Sequence, residues 1–194
     1  MAELDVFLAA CRVFTDRVHA ITEDQWQRET PDDDWTVAEL VEHLIDEHLW
    51  GPPLVHGLDL KAAQAVVDGA RKLPVDGGVG ANLAEAWDEA STACVDAFSE
   101  ADALERTVNL SRGPTPARDY LNEMIFDLVV HAWDLGVAID YPDPVPDELA
   151  GPVYEEVKKY GDLAATGMFK EPVEVPDDAP TLDRLVALTG RTPR

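Results

Sequence analysis

Basic residues are scarce in this chain. Against 39 Asp and Glu stand only 15 Lys and Arg, which leaves a formal net charge of −24 over 194 residues. Such a charge is repelled by nucleic-acid phosphates and by anionic membrane surfaces, so both are excluded as partners. Cysteine is nearly absent: Cys11 and Cys94 lie far apart with no metal or redox spacing, and read as buried free thiols, not a disulfide framework. Long apolar runs are missing too, since stretches such as Leu128-Val129-Val130 fall far short of the roughly 20 residues that span a bilayer. Glu3 and Asp5 stand where a signal peptide would carry basic residues, and the expected compartment is the cytoplasm. The chain also lacks a glycine-rich phosphate loop, a serine-centred elbow, an HExxH motif, internal repeats and strand-type alternation of useful length.

What is present is helical periodicity. Hydrophobic residues make up 46% and charged residues 28%, enough for one globular domain over 1–194 with a core of its own. Leu4, Phe7, Leu8, Cys11, Phe14 and Val18 predict a helix over about 3–21. Thr36 and Glu39 form a capping box ahead of a second helix over about 37–50, which Gly51-Pro52-Pro53 should stop. Residues 51–80 form a long connection with many glycines, in which Leu60–Ala70 suits a short helix. Asn82 and Glu85 suggest the start of a third long helix over about 82–101, and Thr115-Pro116 that of a fourth over about 116–139. This fourth helix is apolar on most sides and should be central. Beyond the proline-rich break at 141–146 comes a C-terminal extension over about 147–194. It holds a helix near 147–167, with Pro152 restarting or kinking it, and a last short one at Thr181–Leu188 closed by Gly190. The expected fold is all-α, a four-helix bundle with short additional C-terminal helices.

Chemistry concentrates on the fourth helix. Tyr120, Met124, Asp127, His131 and Leu135 share one face, so an acid and a histidine sit one turn apart in an apolar stripe. Burying an unpaired carboxylate is costly, so the pair demands a partner. Side chains at i and i+4 suit two ligands of one cation, and equally a structural Asp–His hydrogen bond; spacing alone leaves both readings open. On the second helix His43 lies at the edge of the apolar face, Glu47 one turn further along the same side, and His48 nearer the stripe centre. Asp134 is a candidate acceptor for a histidine N–H, and Glu47, His48 and Tyr120 are candidates for a supporting or proton-shuttling role. Arg112 and Arg118 flank the loop before the fourth helix, where an arginine near a cavity could take a substrate carboxylate. His19 and His56 read as solvated.

The segment Asp34–Leu44 (DWTVAELVEHL) resembles the second-helix signature of the DinB-like superfamily. It is most similar to the actinobacterial branch related to mycothiol-dependent maleylpyruvate isomerase. Asp127-Leu-Val-Val-His131-Ala-Trp-Asp134-Leu135 is similar to that branch's fourth-helix pattern, and Val175–Val186 to its C-terminal end. The resemblance implies a bundle that binds one divalent metal through His43, Asp127 and His131, zinc foremost and nickel as the alternative. It further implies a low-molecular-weight thiol as cosubstrate and a small electrophile as substrate, in a monomer or homodimer. Two departures stand out: the acid is Asp, shorter than the Glu of the isomerase, and the tail is short for the isomerase's full C-terminal domain. Metal binding survives both, whereas maleylpyruvate as the substrate does not. A metal-dependent hydrolase of a small molecule and a non-catalytic metal- or ligand-binding module stay open as alternatives.

Overall fold

The computed structural model of the protein describes residues 2–32, 35–71 and 79–194. Asp34 of the second-helix motif and Pro74, Gly77 and Gly78 of the long connection lie outside them. Seven α-helices, four short 3-10 turns and one two-stranded sheet make up the regular structure of the described residues. They are α1 (Glu3–Val18), α2 (Val37–Val55), α3 (Leu60–Ala70), α4 (Val79–Ser99), β1 (Thr107–Leu110), β2 (Gly113–Pro116), α5 (Ala117–Ala138), α6 (Asp147–Val157) and α7 (Thr181–Leu188). The expected all-α bundle is the observed fold. α1, α2, α4 and α5 form its core, with α2 packed on α4 and α1 on α5, while α3 leans on α2 and α6 joins α5 to α7.

Each bundle helix buries the stripe its periodicity marks. α1 turns Val6, Phe7, Ala10, Cys11, Phe14 and Val18 inward. Phe14 meets Trp87 of α4 edge-on at 4.7 Å, and the indole Nε1–H donates to Thr15 Oγ1 at 2.8 Å. Trp87, Phe7, Phe14 and Phe98 are essentially inaccessible, each contributing on the order of 1.5–3 kcal/mol by burial. α5 is buried along most of its length, as expected for the central helix. Cys11 and Cys94 are free and buried, and burial pushes the Cys11 thiol up to about 12.

Several boundaries differ from expectation for identifiable reasons. α2 does not stop at Gly51-Pro52-Pro53 but runs through both prolines to Val55. Packing outweighs the two lost donors here: Gly51, Pro53, Leu54 and Val55 are all buried, and a Cβ on Gly51 would meet Cys94 Sγ at 2.5 Å. The absent side chain is what lets α2 and α4 approach. α4 starts at Val79, so Asn82 and Glu85 fall inside its first turns and do not cap it. The stretch before α5 is an antiparallel hairpin, not a plain loop, with Val108 opposite Thr115. Two four-residue strands, one holding Pro114 and Pro116, are too short to show a period of two. The helix expected over 147–167 ends at Val157; a short 3-10 turn follows at Lys158–Tyr160, and Gly161 breaks the chain direction at φ +79°. The capping box of α2 is formed, with Thr36 N–H donating to Glu39 Oε2 at 2.8 Å.

Candidate metal centre

α2 and α5 bring three ligand-type side chains to one point. His43 Nε2 lies 3.1 Å from Asp127 Oδ2, and His131 Nε2 lies 3.3 Å from Asp127 Oδ1. The ligand atoms of His43, Asp127 and His131 all fall within 4.8 Å of one another, the separation of groups that could hold one metal ion. The two imidazoles meet edge-on at 5.3 Å, and Trp35 packs against both, 4.5 Å from His43 and 5.5 Å from His131. Backbone bonds explain why Trp35 is there: Thr30 N–H donates to its carbonyl at 3.0 Å, and Val37 N–H to Arg28 O at 2.9 Å. These fold the segment before α2 back across the end of the bundle.

Electrostatics tie the trio together. Burial would lower the affinity of His131 for a proton, but Asp127 and Asp134 beside it outweigh that and raise its pKa to about 9. Burial would raise Asp127, yet the two imidazoles hold its carboxyl well below the usual carboxylate range. In the metal-free protein a proton on His131 thus supplies the positive charge this carboxylate requires. His131 is 5% exposed, and its Nδ1 lies 3.0 Å from Asp134 Oδ2, on the side away from Asp127. With Asp134 accepting there, Nδ1 carries the proton and Nε2 is the atom turned to the trio.

The remaining candidates separate. Glu47 sits half-buried near the trio, and burial together with Asp127 raises its pKa. His48 turns into the core instead, stacked on Phe7 and edge-on to Trp87 at 4.7 Å. Its Nδ1 is 2.7 Å from Leu44 O, its Nε2 is buried with no hydrogen-bond partner, and burial lowers its pKa to about 4. That position suits packing and not proton transfer to a cavity. Tyr120 buries its ring near Phe98. Arg112 pairs with Glu123 at 2.5 Å, and Arg118 with Glu3 and Glu105, so neither reaches the trio. His19 and His56 are exposed and hydrogen-bonded to Asp88 and Glu100.

Above the trio lies a cavity of about 460 Å³. Its floor is His43, Asp127 and His131; Trp35, Phe126 and Phe169 supply apolar walls, and Lys170 and Arg191 bring positive charge. A second cavity of about 730 Å³ shares Trp35 and His43 and runs along α2 and α4. Phe169, Lys170 and Arg191 arrive from the C-terminal segment and were not among the candidates read from the sequence. The signal that could have found Arg191 is Asp134, a carboxylate on the central helix α5 that needs donors from elsewhere in the fold.

Comparison with known proteins gives a consistent picture. A family model described as the mycothiol maleylpyruvate isomerase N-terminal domain matches residues 7–136. Uncharacterised proteins from two strains of Mycobacterium tuberculosis are each 26% identical over 182 residues, 88% of this chain and 87% of theirs. The crystal structure of mycothiol-dependent maleylpyruvate isomerase superposes with a TM-score of 0.59 at 16% identity, and that of a histidine-to-alanine mutant with 0.58 at 14%. Both superpositions cover 80% of this chain and 68% of the other. At that identity the likeness is one of fold.

Proposed function

The chain belongs to the mycothiol maleylpyruvate isomerase N-terminal domain family, and from that premise we propose that it is a mycothiol-dependent metalloenzyme acting on a small electrophile, as an isomerase or an S-transferase. The observation that carries this reading is the convergence of His43, Asp127 and His131 on the floor of a cavity. Two imidazoles and one carboxylate fit a divalent ion of the zinc type and leave coordination positions open, the arrangement of a reactive centre. When bound, such an ion lowers the pKa of a thiol that ligates it and so supplies a nucleophile at neutral pH.

The chain's own residues do the rest. Asp127 neutralises charge between the two histidines, and Trp35 fixes both rings by packing. Glu47, half-buried and with its pKa raised by burial and by nearby Asp127, is the residue we assign to take the thiol proton and return it. In an isomerisation the sulfur adds to one alkene carbon, its neighbour takes the electron pair, the new single bond rotates, and loss of the sulfur restores the alkene. In a transfer the S–C bond forms as the leaving group departs with its electron pair. Neither route needs an oxidant or reductant.

The test is to incubate metal-loaded protein with mycothiol and a panel of small electrophiles, including cis-alkene acids. Product or thiol consumption that requires both metal and mycothiol is the expected result. Absence of adduct, isomerised product and thiol loss across the panel overturns the proposal. Turnover that proceeds without thiol replaces it with metal-dependent hydrolysis.

A further inference from the structure

Asp134 is fully buried, and its carboxylate serves two donors at once. His131 Nδ1 lies 3.0 Å from Oδ2. Arg191 meets the same carboxylate as a fork, Nε 2.8 Å from Oδ1 and Nη2 2.7 Å from Oδ2. The Arg191 Nη2 also donates to Asp32 Oδ2 at 2.8 Å. Asp32, His131 and Asp134 form a second group close enough to hold a cation, and the guanidinium of Arg191 already bonds both of its carboxylates.

The local chain is built to deliver this side chain. α7 ends at Leu188, Gly190 turns at φ +80°, and a Cβ there would collide with Lys170 Cβ. The Arg191 N–H then donates to Val186 O at 3.2 Å, and the residue is 8% exposed. Arg191 lies well beyond residues 7–136, the span matched by the family model.

We propose that Arg191 is a positioning residue for the metal centre: through Asp134 it fixes the ring of His131 with Nδ1–H inward and Nε2 toward Asp127, so cation binding by the bundle depends on the C-terminal segment. This rests on the reading that His43, Asp127 and His131 bind a metal. The geometric requirement is specific to arginine. A planar fork satisfies both oxygens of Asp134 and reaches Asp32, whereas a lysine ammonium is a point charge that cannot reproduce that pattern. Loss of a partner that orients a metal-binding histidine weakens metal affinity by about 10–100-fold.

The test compares wild type, Arg191→Met and Arg191→Lys by cobalt(II) titration, with the visible cobalt spectrum and the downfield Nδ1–H proton resonance of His131 in metal-free protein. Expected for Arg191→Met are affinity weaker by about 10–100-fold, an altered cobalt spectrum, and loss or upfield movement of the His131 resonance. Arg191→Lys should recover part of the affinity but not the wild-type spectrum, and it decides the matter if the methionine variant does not fold. Variants with wild-type affinity, spectrum and resonance overturn the proposal. If wild type binds no cobalt while the resonance still responds to Arg191→Met, the metal reading fails and the ring-positioning role of Arg191 stands.

Discussion

Above about pH 6.5, a shift in pH should act on the metal-free protein through one group above all. His131 is buried between Asp127 and Asp134, and the two carboxylates raise its pKa to about 9 against the opposing effect of burial. In the unfolded chain it returns to about 6.5. Protonation therefore favours the folded state: the contribution is complete below about pH 6.5 and lost as pH rises through about 9. The displacement corresponds to about 3 kcal/mol, of which about 2 kcal/mol should disappear between pH 6.5 and 8.5. The lowered pKa of Asp127 describes the same interaction and is not added to it. For a domain of this size the loss amounts to about 4–8 °C in Tm. The assay is urea unfolding of metal-free protein at half-unit pH steps, with His131→Gln as reference; the buried thiols titrate on unfolding only toward the upper end of this range. A divalent ion bound by the trio replaces the proton, so metal-loaded protein should lack the slope, and cation affinity should climb about tenfold per pH unit below about 9. A metal-free stability curve that matches His131→Gln across the window would refute the electrostatic account of the trio.

Three further outcomes follow from the packing and the site. Glu47→Gln should leave cation content unchanged while thiol-dependent turnover falls by about 10²-fold or more, measured on metal-loaded protein. Gly51→Ala drives a methyl into Cys94 Sγ and should cost about 1–3 kcal/mol in chemical denaturation; adding Cys94→Ala should restore part of it, because the remaining neighbours are at ordinary contact distances of 3.6 and 3.7 Å. Thr36→Ala removes the α2 cap and should lower stability by about 1 kcal/mol without changing cation binding.

How far the sequence could be read depended on the distance over which each interaction acts. Asp127 and His131 share a face because of helical geometry alone, and α5 places them as their spacing requires. Thr36 and Glu39 are local too, and their capping box is formed. His43 needed a second helix: the pattern there offers His43, Glu47 and His48 as a third group, and the family resemblance singles out His43. His48 shows the limit of a helical wheel: it was correctly turned inward, but whether inward means cavity or core depends on Phe7 and Trp87, which come from α1 and α4. Pro52 and Pro53 contradicted a local rule because α4 packs tightly over Gly51. Arg191 was out of reach, since nothing near it in sequence records that Asp134, on α5, needs a buried cation.

The most direct test of the metal centre is elemental analysis of tag-free protein, wild type beside His131→Ala and Asp127→Asn, after equilibration with limiting zinc. About one equivalent of zinc in wild type and a large loss in both variants is the expected result. Equal metal content in all three, or none in wild type even with excess divalent ion, would make the His43–Asp127–His131 trio a structural hydrogen-bond cluster and contradict the assignment.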